Sequence, residues 1–427
     1  MSQITYPKII FYSICFQVNL KAYTPYILLI NQMECEHILK KYPISIFILA
    51  LGAFAIGMTE FILMGILPEI AHDLSISISQ AGYFVSVYAL GVAIGGPIIT
   101  LCTLRLPRKR LLLFLLAFSI VGNLGCVFSS NYETLLLFRL IASLAHGTFM
   151  GISALIAASI VPSHLSSRAI SLVFAGLLSS NVFGVPLGTF IGHSFSWRYS
   201  FIVIVFLSIT AIIGIAWNVP DQKITTIFKV KNEIRAIFNI QIVLALLITF
   251  FGFGGMYLAF TYITPVLTTI SKFDSSSISL ILLVFGIGST IGSIIGGRLS
   301  DWNVMRWLLI NLMILAIIMS IITFFITNKM IMILFVFIWG LFSYSLLPTI
   351  QTRIVFLAKD APNLSSTLTN TAFNLSISFA SFFGGMMIDL FELRWIFLIG
   401  SIQVMLGMIV AITSVYFNRK ISLRKLT

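Results

Sequence analysis

Residues 44–67 read ISIFILALGAFAIGMTEFILMGIL, an apolar run interrupted by one carboxylate, that of Glu60. A helix needs roughly 20 apolar residues to cross a hydrocarbon core about 30 Å thick, so this stretch is a membrane span. A charge at such depth costs roughly 2.5–3.5 kcal/mol on insertion scales, and coupling to a proton or ion is the commonest use of such a group. Runs of the same kind continue at 80–102, 111–129, 134–160, 168–192, 199–218, 241–265, 277–297, 307–326, 330–352, 366–388 and 395–417. Together they predict an all-α membrane protein of twelve transmembrane helices. The chain is 59% hydrophobic and 9% charged, where soluble domains carry about 25% charged residues. A soluble globule is excluded. Links such as Ser129 to Glu133 and Thr327 to Lys329 leave no room for a soluble domain between spans.

The formal net charge of +13 invites a nucleic-acid partner, and its distribution excludes one. Basic residues crowd every second loop: Lys40 and Lys41; Arg105, Arg108, Lys109 and Arg110; Arg168; Lys223, Lys229, Lys231 and Arg235; Arg298 and Arg306; Arg353 and Lys359; Arg419, Lys420, Arg424 and Lys425. The opposite loops hold only Arg198, Lys272, Lys329 and Arg394, beside Glu69, Asp73, Glu133, Asp274, Asp389 and Glu392. The positive-inside rule then places both termini and the central loop in the cytoplasm. Cys102 and Cys126 fall at or within spans, and Cys15 and Cys35 in the N-terminal extension. No pair has metal-ligand or CxxC spacing, so no metal or cofactor is expected.

Residues 1–41 stand outside the pattern. Asn19, Lys21 and Pro25 interrupt their apolar pieces, and no small-residue cleavage site marks a signal peptide. A start at Met33 would leave a short tail before the first span, so residues 1–32 read as an over-called start or a disordered leader.

The chain also matches itself. At a constant offset of 197 residues Gly57 falls on Gly254, Pro68 on Pro265, Gly91 on Gly288, Gly95 on Gly292 and Gly188 on Gly385. Each half closes in kind, Trp197-Arg198 before one span and Arg394-Trp395 before its counterpart. The expected organisation is a six-helix lobe over 42–219, a basic linker over 220–240, a second six-helix lobe over 241–418 and a tail over 419–427. Two pseudo-symmetric lobes are the plan of secondary transporters with repeat symmetry. Gly91 and Gly95 on span 2, like Gly288, Gly292 and Gly296 on span 8, bare one helix face so that backbones approach closely.

With these residues in view the chain resembles a major facilitator superfamily permease over roughly residues 42–418. It is most similar to the twelve-span drug/proton antiporter group, and within it to arabinose-efflux-like permeases. The resemblance is carried by Gly57-Met58-Thr59-Glu60-Phe61 with Leu67-Pro68-Glu69, and by Gly95-Gly96-Pro97 running into Arg105, Arg108, Lys109 and Arg110. Arg139, Ser143 and His146-Gly147 on span 4 carry it further, as does Gly184-Val185-Pro186-Leu187-Gly188 on span 5, which resembles the antiporter motif. The family's cytoplasmic loop motif, Gly-x-Leu-Ala-Asp-Arg-x-Gly-Arg-Lys, has Thr100, Leu104 and Pro107 where Gly, Asp and Gly are expected. The gate lock that the family draws from that Asp is therefore in doubt here. The second half keeps Gly297-Arg298-Leu299-Ser300-Asp301, and Asp301 near Arg298 or Arg306 is the candidate for the matching contact, or an ordinary solvated loop pair.

Glu60 is either a proton-coupling acid in a cavity between lobes or a structural carboxylate with a fixed hydrogen bond. The resemblance makes Arg139 a proton-relay or gating cation, against snorkelling to the near interface. His146 lies seven residues on, near the same face, and is either a titrating partner or a packing residue. Ser143, Gly147 and Gly151 read as a packing stripe. Mid-span Tyr88, Asn123, Asn181, Tyr257, Tyr262, Tyr344, Asn370 and Asn374 are candidates to line a cargo cavity or to bridge helices; Asn370 and Asn374 share a face. The expected function is proton-coupled efflux of a small organic compound, either a drug-like amphiphile or a sugar or nucleoside. The setting is the bacterial inner membrane, and the expected state is a monomer. The rivals are a sugar or nucleoside permease without drug export, a membrane enzyme and a non-transporting sensor. No HExxH or GxSxG motif supports the enzyme, and the tails are short for a receptor's output domain.

Overall fold

The computed structural model describes residues 42–103, 105–221, 239–357 and 362–424. The N-terminal extension to Lys41, Leu104, the linker from 222 to 238, residues 358–361 with Lys359, and the last three residues lie outside the described residues, and with them the expectations about a start at Met33. Two compact units partition the chain, Met1–Ile44 and Ser45–Thr427. All the described helices belong to the second, apart from Ile44 at the head of the first of them.

Among the described residues, eleven helices are long and apolar enough to cross a membrane. They are α1 Ile44–Phe61, α2 Ile78–Cys102, α3 Arg108–Phe128, α4 Tyr132–Ser159, α5 Ser163–Ser194, α6 Trp197–Asn218, α7 Ile240–Thr261, α8 Ser275–Phe325, α9 Lys329–Leu357, α10 Leu368–Phe391 and α11 Leu393–Phe417. Their outer faces carry large exposed apolar side chains such as Phe128, Phe206 and Trp217, a surface suited to lipid rather than water. Ends are set by local chemistry. Ser77 accepts from the Gln80 backbone while the Gln80 side chain accepts from the Ser77 N–H, a capping box that starts α2. Asn131 caps α4 through the Thr134 N–H at 2.9 Å.

Three elements differ from the sequence expectation. The run 44–67 is not one helix: α1 stops at Phe61, and a short helix, Leu63–Asp73, follows with non-helical backbone at Ile66. Pro68 has no N–H to donate, and its ring displaces the carbonyl four residues back, that of Met64. The spans expected at 277–297 and 307–326 form the single 51-residue element α8, interrupted by extended backbone at Asn303. No glycine or proline separates Arg298 from Arg306, so helix runs up to the break from both sides. The last helix continues past 417 to Arg424.

The glycine ladders of the two halves pack alike. A Cβ at Gly95 would strike Leu144 on α4, and one at Gly292 would strike Leu341 on α9; Leu144 and Leu341 are themselves 197 residues apart. Two seams join the halves, α2 against α10 and the end of α5 against α8. Along the first, Ser86 donates to the Ser378 carbonyl at 2.7 Å, and Tyr83 stacks on Phe382 with centroids 5.1 Å apart. Nearer the loops, Thr264 donates at 2.6 Å to the Met64 carbonyl that Pro68 frees from its helix. These contacts gather toward the end of the molecule opposite the basic loop at 105–110.

Candidate functional site

Glu60 lies 6% exposed on the inward face of α1. α4 brings Arg139 and His146 to it. Their seven-residue spacing is two helical turns, so both project from one face. The His146 Nδ1 stands 3.8 Å from a Glu60 carboxylate oxygen. Arg139, fully buried, donates through Nη1 to the Thr59 carbonyl at 2.6 Å. Its guanidinium lies 4.2 Å from the centre of the Tyr88 ring on α2, within the range of a cation–π contact. The Tyr88 hydroxyl stands 3.4 Å from His146 Nδ1. Glu60 and Arg139 attract each other across this cluster.

The carboxylate is not pinned. Among the described residues none hydrogen-bonds it, and Arg139 directs Nη1 to the Thr59 backbone carbonyl instead. Arg139 Nε and Nη2 are also buried without a partner. Buried polar atoms are nearly always satisfied, so the site has unused capacity on both the acidic and the basic member.

The other half faces the cluster with tyrosines. Tyr257 on α7 and Tyr344 on α9 have hydroxyls 3.4 Å apart, and Asn181 on α5 donates to Tyr344 across the halves. Asn181 sits in a π-helical turn, Ser180–Gly184, a widening frequent at functional positions. The antiporter-like residues around it serve close packing. Gly184 rests on Met58 and Phe54, Gly188 on Ile62 and Met58, all on α1 or just beyond it, and Pro186 opens the helix that follows the turn.

The remaining candidates scatter. Asn123 is fully buried and donates to the Ser119 carbonyl and the Thr59 hydroxyl, so it bridges helices behind Glu60. Tyr262 lies away from the cluster, its hydroxyl on the Ser381 carbonyl at 2.7 Å. Asn374 donates to the Asn370 carbonyl at 3.0 Å, and the exposed Asn370 approaches Gly147. Ser143 and Gly147 pack on Gly91 and Gly96, whereas Gly151 faces open space. Gly95 and Pro97 lie inside α2, and Arg105, Arg108 and Lys109 surround the start of α3. Gly297 is open and Asp301 exposed; Arg306 lies over Trp302 at 5.4 Å.

Sequence reasoning missed Thr59, whose carbonyl holds Arg139 and whose hydroxyl meets Asn123; its position beside Glu60 was the available signal. It also missed a cluster where α5 ends, α6 begins and the short helix Leu63–Asp73 closes. His193 Nδ1 stands 2.6 Å from Glu69, and Asp73 accepts from Arg198 at 2.6 Å and Trp197 at 3.1 Å. Burial alone would raise the Asp73 carboxyl, but the Arg198 and Trp197 hydrogen bonds outweigh it and hold that carboxyl below its usual range. A cleft of about 430 Å³ opens beside Glu69, Asp73 and Trp197.

The family model described as "Major Facilitator Superfamily" matches residues 49–381. The chain is 36% identical over 341 residues to the inner membrane transport protein YdhP of Escherichia coli (strain K12), covering 80% of this chain and 88% of that protein. It is 28% identical over 361 residues to a probable sugar efflux transporter of Helicobacter pylori (strain J99 / ATCC 700824), covering 83% and 91%. Among solved structures, that of a D-xylose–proton symporter aligns with a TM-score of 0.72 at 16% identity, over 86% of this chain and 96% of that one. That likeness concerns the fold.

Proposed function

The chain belongs to the major facilitator superfamily, and from that membership we propose that it exports a small organic compound in exchange for protons. It is a multi-pass membrane transporter and not an enzyme. The working body is a pair of six-helix lobes, 42–219 and 241–418, joined by the linker 220–240 and followed by the tail 419–427. Twelve crossings result when α8 counts as two: its 51 residues would span about 76 Å, more than twice a bilayer core. Both termini face the cytoplasm, the membrane is the bacterial inner membrane, and the monomer is the transporting unit.

One observation carries the proposal: Glu60 is buried beside Arg139 and His146 yet accepts no hydrogen bond from any described residue. With Glu60 ionised, its charge and that of Arg139 balance. A proton on Glu60 leaves Arg139 as an uncompensated buried cation, which is costly in a dry site and favours the state in which the site is wet. Cargo and proton then compete for one cluster as the lobes rock about it, which is the logic of exchange. Tyr88, Tyr257, Tyr344, Asn181, Asn370 and Asn374 supply hydrogen-bonding groups for the cargo. A sugar or nucleoside suits that set, and a drug-like amphiphile would use the tyrosine rings. The test is flux in reconstituted vesicles against a panel of both cargo classes. A pH gradient is expected to drive accumulation, and a proton-conducting agent to abolish it; gradient-independent flux contradicts the proposal.

A further inference from the structure

We propose that Tyr262 is the removable plug of the extracytoplasmic mouth, seated between the two halves by three glycines. The proposal rests on the alternating-access reading above and is independent of its proton coupling. Tyr262 follows α7 at a break in the backbone (φ −108°, ψ 17°), three residues before Pro265. The break turns its ring off the helix face and across the seam. There the ring is fully buried, and its hydroxyl donates to the Ser381 carbonyl at 2.7 Å.

The seat has no room for a side chain. A Cβ at Gly82 on α2 would collide with the Tyr262 hydroxyl oxygen and lie 2.5 Å from Cζ. One at Gly384 would lie 2.8 Å from Cε2, and one at Gly385 2.8 Å from the hydroxyl oxygen and 3.0 Å from the Ser79 carbonyl. Gly82 and Ser79 belong to the first half; Gly384, Gly385 and the plug belong to the second. The ring therefore fills a space that exists only while the halves meet.

Three further features suit a contact that opens. The seam around the plug is polar and can hydrate: Ser86 on Ser378 and Thr264 on the Met64 carbonyl are neutral hydrogen bonds that water can replace. Ile66, in the first half, is broken in the matching way (φ −123°, ψ 17°), two residues before Pro68. Both halves thus carry a proline-linked hinge at this end. At the far end a Cβ at Gly151 or at Gly297 would meet nothing within 4 Å, so neither glycine forms a seat like that of the plug.

The experiment uses the full chain in right-side-out membrane vesicles, with Ser378→Cys as reporter, deeper in the seam than the plug. An impermeant maleimide is added outside, and labelling is measured above the background of the chain's own cysteines. Gly82→Ala, which displaces the ring, is expected to raise the labelling rate by about tenfold or more. In a Tyr262→Ala background the same Gly82→Ala change is expected to add less than about twofold, because its clash has gone. Unchanged labelling in Gly82→Ala overturns the proposal, as does an equal increase in both backgrounds. Should Gly82→Ala not fold, Tyr262→Ala alone decides: faster labelling supports the plug and an unchanged rate refutes it. No gradient or cargo enters this readout, so a failure of proton coupling would leave it standing.

Discussion

The two halves share a frame and differ in what they place on it. At the offset of 197 residues, Glu60 corresponds to Tyr257, Tyr88 to Phe285, Arg139 to Val336 and His146 to Ser343. The first half thus gathers an acid, a cation and an imidazole where the second has aromatic and small groups. In the second half Phe285 packs on Phe260 with centroids 4.5 Å apart and on Trp339 at 5.0 Å, a dry stack with nothing to titrate. One half holds the charge, and the other supplies a stiff aromatic wall with two tyrosine hydroxyls. Under the proposed function, rocking one against the other would change the water around the ionisable groups without disturbing the wall.

The sharpest way to break that comparison is to remove the cation and its counterpart in turn. Arg139→Met leaves Glu60 without its balancing charge and the Thr59 carbonyl without a donor, and is expected to cost about 3 kcal/mol in detergent unfolding. Val336→Ala should cost only roughly 1.5 kcal/mol, the value of two buried methylene-sized groups. Adding Glu60→Gln to Arg139→Met should restore part of the loss. Equal costs for the two single variants would mean that the halves are not so divided.

The glycine ladders sharpen it next. Gly95→Ala would meet the end of the flexible Leu144 side chain, whereas Gly292→Ala would meet the Leu341 carbonyl oxygen, which is backbone. Overpacking against backbone is expected to cost about 1–3 kcal/mol, against less than about 1 kcal/mol where a side chain yields. Thermal unfolding of the two alanine variants measures the difference, and a reversed order would discredit the packing.

The smallest effect belongs to the outer ends. In the first half Asp73 accepts from both Trp197 and Arg198; in the second, Arg394 lies over Trp395 at 6.0 Å. Because the folded-state carboxyl of Asp73 is held below its unfolded value, its contribution is complete above about pH 4. It disappears as pH falls through the lower, folded-state value. Arg198 is 30% and Asp73 44% exposed, so Asp73→Asn should cost less than about 0.5 kcal/mol near neutrality. That cost should shrink further in acid; a cost that grew on acidification would reverse the sign.

The spans were legible because lipid demands long apolar runs, and composition records that demand directly. The backbone break at Ile66 was hidden inside such a run, although Pro68 was there to mark it. Glu60 stood out because a charge in lipid is rare. The common face of Arg139 and His146 followed from their spacing. That the two helices meet at Glu60 did not follow, since only tertiary packing brings residues 79 and 86 positions apart into one cluster. Mid-span amides and tyrosines were the least readable class. Asn123 and Tyr262 satisfy the same sequence criterion as Tyr344, yet one bridges helices and the other fills a seat whose nearest wall, Gly82, is in the other half.

The central claim is that Glu60 couples the proton and does not merely hold the site together. Cargo movement in reconstituted vesicles, measured in the parent and in Glu60→Gln, separates the two roles when exchange and gradient-driven accumulation are followed side by side. The account predicts that Glu60→Gln keeps cargo-for-cargo exchange within about threefold while accumulation driven by a pH gradient falls by about a hundredfold or more. Accumulation that persists in Glu60→Gln, or a loss of exchange equal to the loss of accumulation, would contradict it.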